Sequence, residues 1–319
     1  MNQGDYIIIA LCSIVCSFFA TRASISIAHL VKIHASPNER TMHQGRIPRL
    51  GGVGIGFAVL LALMVSWFLN QDMKIIYCIS SIMVLAAAGL LDDWISSKGG
   101  DNHKLPALLK LMAQMAVSIY VAIYVFHFDS VILPGFLQFK VGFLGIPLTF
   151  FWLVGMTNFF NFMDGSNGLA GGTAVIISIF SGFWCFQSGQ VWAIVLCLII
   201  GLSALGFLPF NFPRAKTFMG DCGSLVLGFS LALVSLPAAQ GMMVGQLNPV
   251  LLMLIWSPFI IDSGFTLVKR VLKRENIFHA HNAHLYQRMI KSGYSHVEVA
   301  LLYWNLAVFF NLLALWLYR

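Results

Sequence analysis

Four aspartates give this sequence its most specific chemistry. Asp92 and Asp93 are adjacent in "LLDDW", Asp164 lies in "NFFNFMDGSNG" and Asp221 in "FMGDCGS". The chain has only twelve acids, and these four all fall at the ends of long apolar runs. A carboxylate at the centre of a membrane helix costs about 2.5–3.5 kcal/mol on insertion scales, so acids kept near a bilayer are functional candidates. Carboxylates held close raise one another's pKa unless a cation intervenes. Oxygen donors with no His/Cys cluster beside them favour a hard ion, Mg²⁺ or Mn²⁺. Mg²⁺ held by one or two carboxylates and completed by substrate phosphates is the usual arrangement in phosphoryl transfer.

The same end of the chain's apolar runs supplies anion binders. "HKLPALLK" places Lys104 and Lys110 beyond the Asp pair, and "FNFPRAKTF" places Arg214 and Lys216 before Asp221. Any one of these fits ordinary flanking of a membrane segment; Lys104, beside the carboxylates, is the one singled out. Gly223 and Ser224 begin an apolar run whose free N–H groups could hold phosphate. "HAHNAHLYQR" gathers His279, His281, His284 and Arg288. It lacks a further ligand or an HExxH pattern for zinc, and a basic loop over a diphosphate-sugar suits it better. "GGVGIGF" lacks GxGxxG spacing and enters an apolar run, so helix packing is expected of it.

What positions these residues is a membrane bundle. Of 319 residues 59% are hydrophobic and only 10% charged, more apolar surface than a soluble core can hide. Ten apolar segments approach spanning length: 6–31, 52–69, 75–91, 107–126, 141–160, 169–186, 191–208, 224–239, 247–268 and 297–317. Pro147 makes the fifth the weakest. The expected fold is a single all-α domain over 1–319 with about ten transmembrane helices. Basic residues including Arg40, Arg46, Arg49, Lys98, Lys269 and Arg270 crowd one face, whereas Lys74, Lys140 and Arg319 fall on the other. By the positive-inside rule the crowded face, with all four aspartates, is cytoplasmic and both termini lie outside. No basic residue precedes the first apolar run, so it reads as a retained span and not a signal peptide. The net charge of +7 is thus a matter of topology, and no nucleic acid is expected. The six cysteines show no CxxC or metal-like spacing and read as small buried hydrophobes.

"LLDDW", "NFFNFMDGSNGLAGG", "FNFPRAKTFMGDCGS" and "HAHNAHLYQR", in this order, resemble the polyprenyl-phosphate N-acetylhexosamine-1-phosphate transferases. "SPNERTMHQGRIPRLGG" is similar to that family's first cytoplasmic loop, so the resemblance runs from about residue 36 to 290. It implies a bundle of ten or eleven helices in a bacterial inner membrane, with a cytoplasmic active site. It also implies the reaction: a UDP-N-acetylhexosamine donor gives its sugar-1-phosphate to a polyprenyl phosphate, releasing UMP, to begin a cell-surface glycan. By motif, Asp92 and Asp93 match the pair that handles the lipid phosphate, and Asp164 is a third catalytic acid. Asp221 matches the metal-binding Asp with Asn161 as a second ligand, Phe218 the aromatic on uracil, and Lys104 a phosphate contact. The His-rich loop matches the segment closing over the diphosphate-sugar. Many bacterial members read "MDGIDGLA"; here Asn167 replaces the second Asp, and an amide can still hydrogen-bond a uracil edge.

"HLYQR" looks closer to O-antigen initiators, some of which use deoxy sugars, than to the peptidoglycan translocase. The remaining partners are membrane lipid and, as an open assembly state, a second copy of the chain. The competing reading is a secondary transporter or ion channel using intramembrane carboxylates. Against it, the acids lie at one face instead of the midplane.

Overall fold

The computed structural model describes residues 1–35, 47–99, 107–133, 137–240, 246–275 and 282–318. In chain order its helices are α1 (Gln3–Val31), α2 (Gly51–Asn70), α3 (Met73–Gly99), α4 (Ala107–Tyr124), α5 (Gly145–Met163), α6 (Leu169–Gln187) and α7 (Val191–Phe207). They continue with α8 (Gly220–Ala238), α9 (Pro249–Ile255), α10 (Ser257–Phe259), α11 (Phe265–Leu272), α12 (Leu285–Lys291) and α13 (His296–Leu317). Strands are few. β1 (His34–Ala35) pairs antiparallel with β2 (Ile47–Pro48), and β3 (Ser130–Leu133) lies between antiparallel β4 (Leu137–Lys140) and parallel β5 (Gln246–Leu247).

Among the described residues, eight helices are long and apolar enough to cross a membrane: α1–α3, α5–α8 and α13. Their outward faces carry Phe19, Leu30, Phe68, Phe151, Phe186 and Trp316. Water would not tolerate that much exposed apolar surface, and lipid does. The chain is a polytopic, all-α membrane protein.

One expected span takes another form. The segment 247–268 is broken: α9 and the Ser257–Leu272 stretch meet at 80°. Pro258, which can neither donate to the preceding turn nor avoid its carbonyl, sits at the break, and a π-helical turn at Ile260–Gly264 follows. The segment 107–126 gives α4, whose apolar part among the described residues, Leu108–Tyr124, lies at the short end of the roughly 17–25 residues a span needs. Pro147, by contrast, does not interrupt its helix. It lies in the first turn of α5, where no helical N–H partner is required. Helix starts follow side-chain chemistry: Asn2 with Asp5, and Ser295 with Glu298, form capping boxes.

Every residue of α8 is buried, and α2, α3, α5, α6 and α7 pack around it. A helix apolar on all sides belongs at the centre of a bundle. Close approach of α2 depends on the "GGVGIGF" glycines, as their sequence suggested. A Cβ on Gly52 would lie 2.2 Å from the backbone nitrogen of Gly223. The Gly51 and Gly52 N–H groups then donate to the carbonyls of Phe218 and Met219, at 3.0 and 2.8 Å. The start of α2 is thereby tied to the start of α8, two residues from Asp221.

Candidate active site

The site forms where the C-terminal parts of α3 and α5 meet the N-terminal ends of α2 and α8. Asp93, fully buried near the end of α3, accepts hydrogen bonds from the backbone N–H of Asp221 (3.0 Å) and of Cys222 (3.1 Å). One helix therefore caps another, satisfying two of the N–H groups that a helix start leaves unpaired. Gly220, with φ +67°, makes this approach feasible, because a Cβ there would lie 2.6 Å from Asp93 Oδ2. The expectation that the helix begins at Gly223 and Ser224 with free N–H groups for phosphate is corrected: it begins at Gly220, and Asp93 takes the N–H groups of Asp221 and Cys222 in its first turn.

Two cations knit the carboxylates together. Arg49 Nε lies 3.0 Å from Asp93 Oδ1 and its Nη2 3.4 Å from Asp221 Oδ1. Lys110 Nζ lies 3.1 Å from Asp92 Oδ2 and donates to Asp221 Oδ2 as well. Asn161, on the last turn of α5, donates to Ser224 Oγ at 2.7 Å and to Asp221 Oδ1 at 3.4 Å. Asp221 is thus the hub, at the start of the central helix, and Asp92, Asp93 and Asn161 converge on it from two other helices.

Asp164 caps the C-terminus of α5 through its N–H to the Asn161 carbonyl (3.3 Å). Desolvation, then the Asp221 carboxylate and to a lesser degree Asp93, hold its carboxyl well above the usual range, with Arg49 opposing. For Arg49 itself, desolvation works to lower the pKa. The carboxylates of Asp93, Asp221, Asp92 and Asp164 outweigh it and raise the pKa.

The donors of this cluster are carboxylate, amide and hydroxyl oxygens, the chemistry of a site for a hard cation. Among the described residues no group of three or more His, Cys, Asp or Glu side chains forms a metal cage. A Mg²⁺ site needs only one or two carboxylates where substrate phosphates supply the other ligands. Asp221, with Asn161 beside it, is the set that fits.

A buried carboxylate outside this cluster was missed from sequence. Asp262, fully buried in the π-helical turn, accepts from the N–H groups of Leu285 and Tyr286, both at 2.9 Å, and from the Tyr303 hydroxyl. His284 Nδ1 lies 3.0 Å from its Oδ1. One side chain therefore holds the start of α12 onto the broken span and α13. The Tyr286 hydroxyl donates to the Phe162 carbonyl at 3.1 Å, which ties α12 to the end of α5 two residues before Asp164. Burial foremost, then Asp262 and Asp164, pushes the Tyr286 phenol up, keeping it a donor. An acid inside an apolar segment was the available signal.

The remaining sequence-derived site residues fall in three groups. Phe218 is half-buried in the loop before α8, its N–H bonded to the Pro48 carbonyl at 2.8 Å. Asn167 Nδ2 donates to the Pro213 carbonyl at 3.4 Å, linking the α5–α6 turn to that loop. His284 is turned inward on Asp262 and caps α12, whereas Arg288 on α12 is exposed. Lys104, His279 and His281 lie outside the described residues. The lysine found among the carboxylates is Lys110; Arg49, within the "RIPRLGG" stretch, had been read only as a flanking charge.

Comparison with known proteins bears directly on this arrangement. Residues 75–239, which include Asp92, Asp93, Lys110, Asn161, Asp164 and Asp221, match the model of glycosyl transferase family 4. The chain is 30% identical over 294 residues to the probable undecaprenyl-phosphate N-acetylglucosaminyl 1-phosphate transferase of Bacillus subtilis (strain 168), covering 89% of this chain and 78% of that one. It is 29% identical over 281 residues to the phospho-N-acetylmuramoyl-pentapeptide-transferase of Staphylococcus aureus (strain MSSA476), covering 85% of this chain and 84% of the relative. With more than half its length matched by the family model, the chain belongs to glycosyl transferase family 4.

Proposed function

We propose that this protein transfers an N-acetylhexosamine-1-phosphate, or its deoxy counterpart, from a UDP-sugar to undecaprenyl phosphate, releasing UMP and beginning a surface glycan. Both relatives carry names for sugar-1-phosphate transfer, which favours an enzyme over a transporter. The observation that carries the reading is the convergence of Asp92, Asp93 and Asp221 with Lys110 and Arg49 at the ends of membrane helices. At that depth a lipid-borne phosphate and a water-borne nucleotide sugar can meet. Orientation in a bacterial inner membrane, with this end cytoplasmic, is supported by the crowding of basic residues there.

In the reaction, an oxygen of the lipid phosphate attacks the sugar-bearing phosphorus. A new P–O–P bond forms, and the bond to the UMP oxygen breaks. Asp92, held by Lys110, takes the proton of the lipid phosphate or orients its oxygen. Lys110 and Arg49 offset the charge of the carboxylates and of incoming phosphates. Asp93 acts by positioning, since its oxygens are committed to α8 and Arg49. Mg²⁺ or Mn²⁺, held by Asp221 with Asn161, would supply neutralisation of the diphosphate charge. Phe218 and Asn167 line the side where the loop 211–217 meets the α5–α6 turn, and receive the uracil. The loop bearing His279, His281, His284 and Arg288, with Lys104, is assigned to the diphosphate-sugar. Release of UMP that depends on both substrates tests the proposal; release without the lipid phosphate would contradict it.

A further inference from the structure

At the end of the bundle opposite the aspartates, a cavity of about 340 Å³ opens between the start of α3, the end of α4, Gln190 just before α7 and Gln240, two residues after α8. Lys74, in the first turn of α3, lies 18 residues before Asp92 on the same helix, about 27 Å away at 1.5 Å per residue. That is close to the thickness of a bilayer core, so the cavity sits at headgroup depth on the other face.

Its lining is polar in a particular pattern. Lys74 Nζ stands 5.3 Å from the Trp192 ring centroid, which fixes the ammonium at the mouth. Gln190 accepts the Trp192 indole N–H at 3.1 Å through its oxygen, which leaves its amide N–H groups as donors. Gln240 is 5% exposed, and its Oε1 has no hydrogen-bond partner. A buried acceptor without a donor costs about 1–3 kcal/mol. His127 Nδ1 is taken by the Ala122 carbonyl at 3.0 Å, and its Nε2 faces the Asp129 carboxylate at 3.9 Å. The wall between cavity and lipid is Ile123 and Tyr124, both with about half their surface exposed.

These groups call for a ligand with an anionic oxygen for Lys74 and Gln190, and an N–H donor for Gln240 near a carboxylate. The exposed apolar rim adds an acyl chain. We infer that this cavity binds the headgroup of an aminophospholipid, with phosphate on Lys74 and ammonium between Gln240 and Asp129, on the face opposite the aspartate cluster. A quaternary ammonium, which has no N–H, does not satisfy Gln240.

The test uses the full-length protein, stripped of lipid in detergent and titrated with dioleoyl-phosphatidylethanolamine or dioleoyl-phosphatidylcholine. Retained lipid is read by native mass spectrometry and by the shift in unfolding temperature. One tightly retained ethanolamine lipid, at least tenfold preferred over choline, is expected. Lys74→Ala and Gln240→Leu should each lower that retention about tenfold, the scale of one charge-assisted hydrogen bond. Unchanged elution and lipid-free unfolding temperature check that each variant is folded; should one fail, the other still decides. Equal retention of the two lipids, or unchanged selectivity in a folded variant, overturns the proposal. So does binding of soluble glycerophosphoethanolamine as tightly as the diacyl lipid, since the tail would then play no part.

Discussion

Asp93 caps the helix that carries Asp221: its two oxygens lie 3.0 and 3.1 Å from the N–H groups of Asp221 and Cys222. Its neighbour Asp92 instead shares Lys110 with Asp221. Two adjacent acids on one helix therefore make different contacts, one with the start of α8 and one with Lys110.

Substitution should separate them. Asp92→Asn should leave folding intact and lower kcat by roughly 10²–10⁴, the usual worth of acid–base assistance. Asp93→Asn keeps one oxygen for one N–H and loses the Arg49 ion pair. It should lower kcat and also cost on the order of 1–3 kcal/mol of stability. Turnover and thermal unfolding of each variant check this. Near-normal turnover in both would leave only a structural role for the pair.

The oxygen donors give the proposed metal dependence a direct test. EDTA should stop turnover and Mg²⁺ or Mn²⁺ restore it, and Asp221→Asn should lose most activity while still inserting. Because desolvation and Asp221 raise the Asp164 pKa, its protonated form is favoured in the fold. That stabilisation is fully present below the unfolded pKa and is lost as pH rises through the folded one. A cation bound nearby favours the carboxylate instead, so adding Mg²⁺ to metal-depleted protein should release a proton. Calorimetry in buffers of different ionisation enthalpy measures it, and Asp164→Asn should reduce it. Proton uptake would contradict this arrangement.

How much of this was readable beforehand varies by residue. Asp92, Asp93 and Asp221 were legible because charge is costly in apolar sequence, and the bundle because its helices are apolar for whole turns. Arg49 and Lys110 were hard to select, since every cation near a span end resembles ordinary flanking charge until three-dimensional proximity picks one. The Asp93 cap was invisible because it joins α3 to α8 across 128 residues. Asp262 was overlooked within an apolar run that reads as one span. Only the 80° break reveals that it holds α12.

Asp262→Ala should release that helix. It removes the acceptor of two N–H groups and the Tyr303 hydroxyl in a buried setting, a loss on the order of 3 kcal/mol. Hydrogen exchange at Leu285 and Tyr286 should accelerate first, and turnover should fall. Unchanged protection there would count against the anchoring role.

Topology gives a separate check. Ser292, exposed just after α12, should lie on the cytoplasmic side with the aspartates. In a variant lacking the native cysteines, Ser292→Cys should stay unlabelled by an impermeant reagent in intact cells. Ready labelling would invert the orientation.

The most direct measurement is product identity. Purified protein, Mg²⁺, undecaprenyl phosphate and a panel of UDP-N-acetylhexosamines, deoxy forms included, are incubated and the lipid fraction is analysed by mass spectrometry. The expected product is an undecaprenyl diphosphate bearing one sugar, formed mole for mole with UMP and absent with Asp221→Asn. A lipid carrying the sugar through a single phosphate, with UDP released in place of UMP, would contradict sugar-1-phosphate transfer.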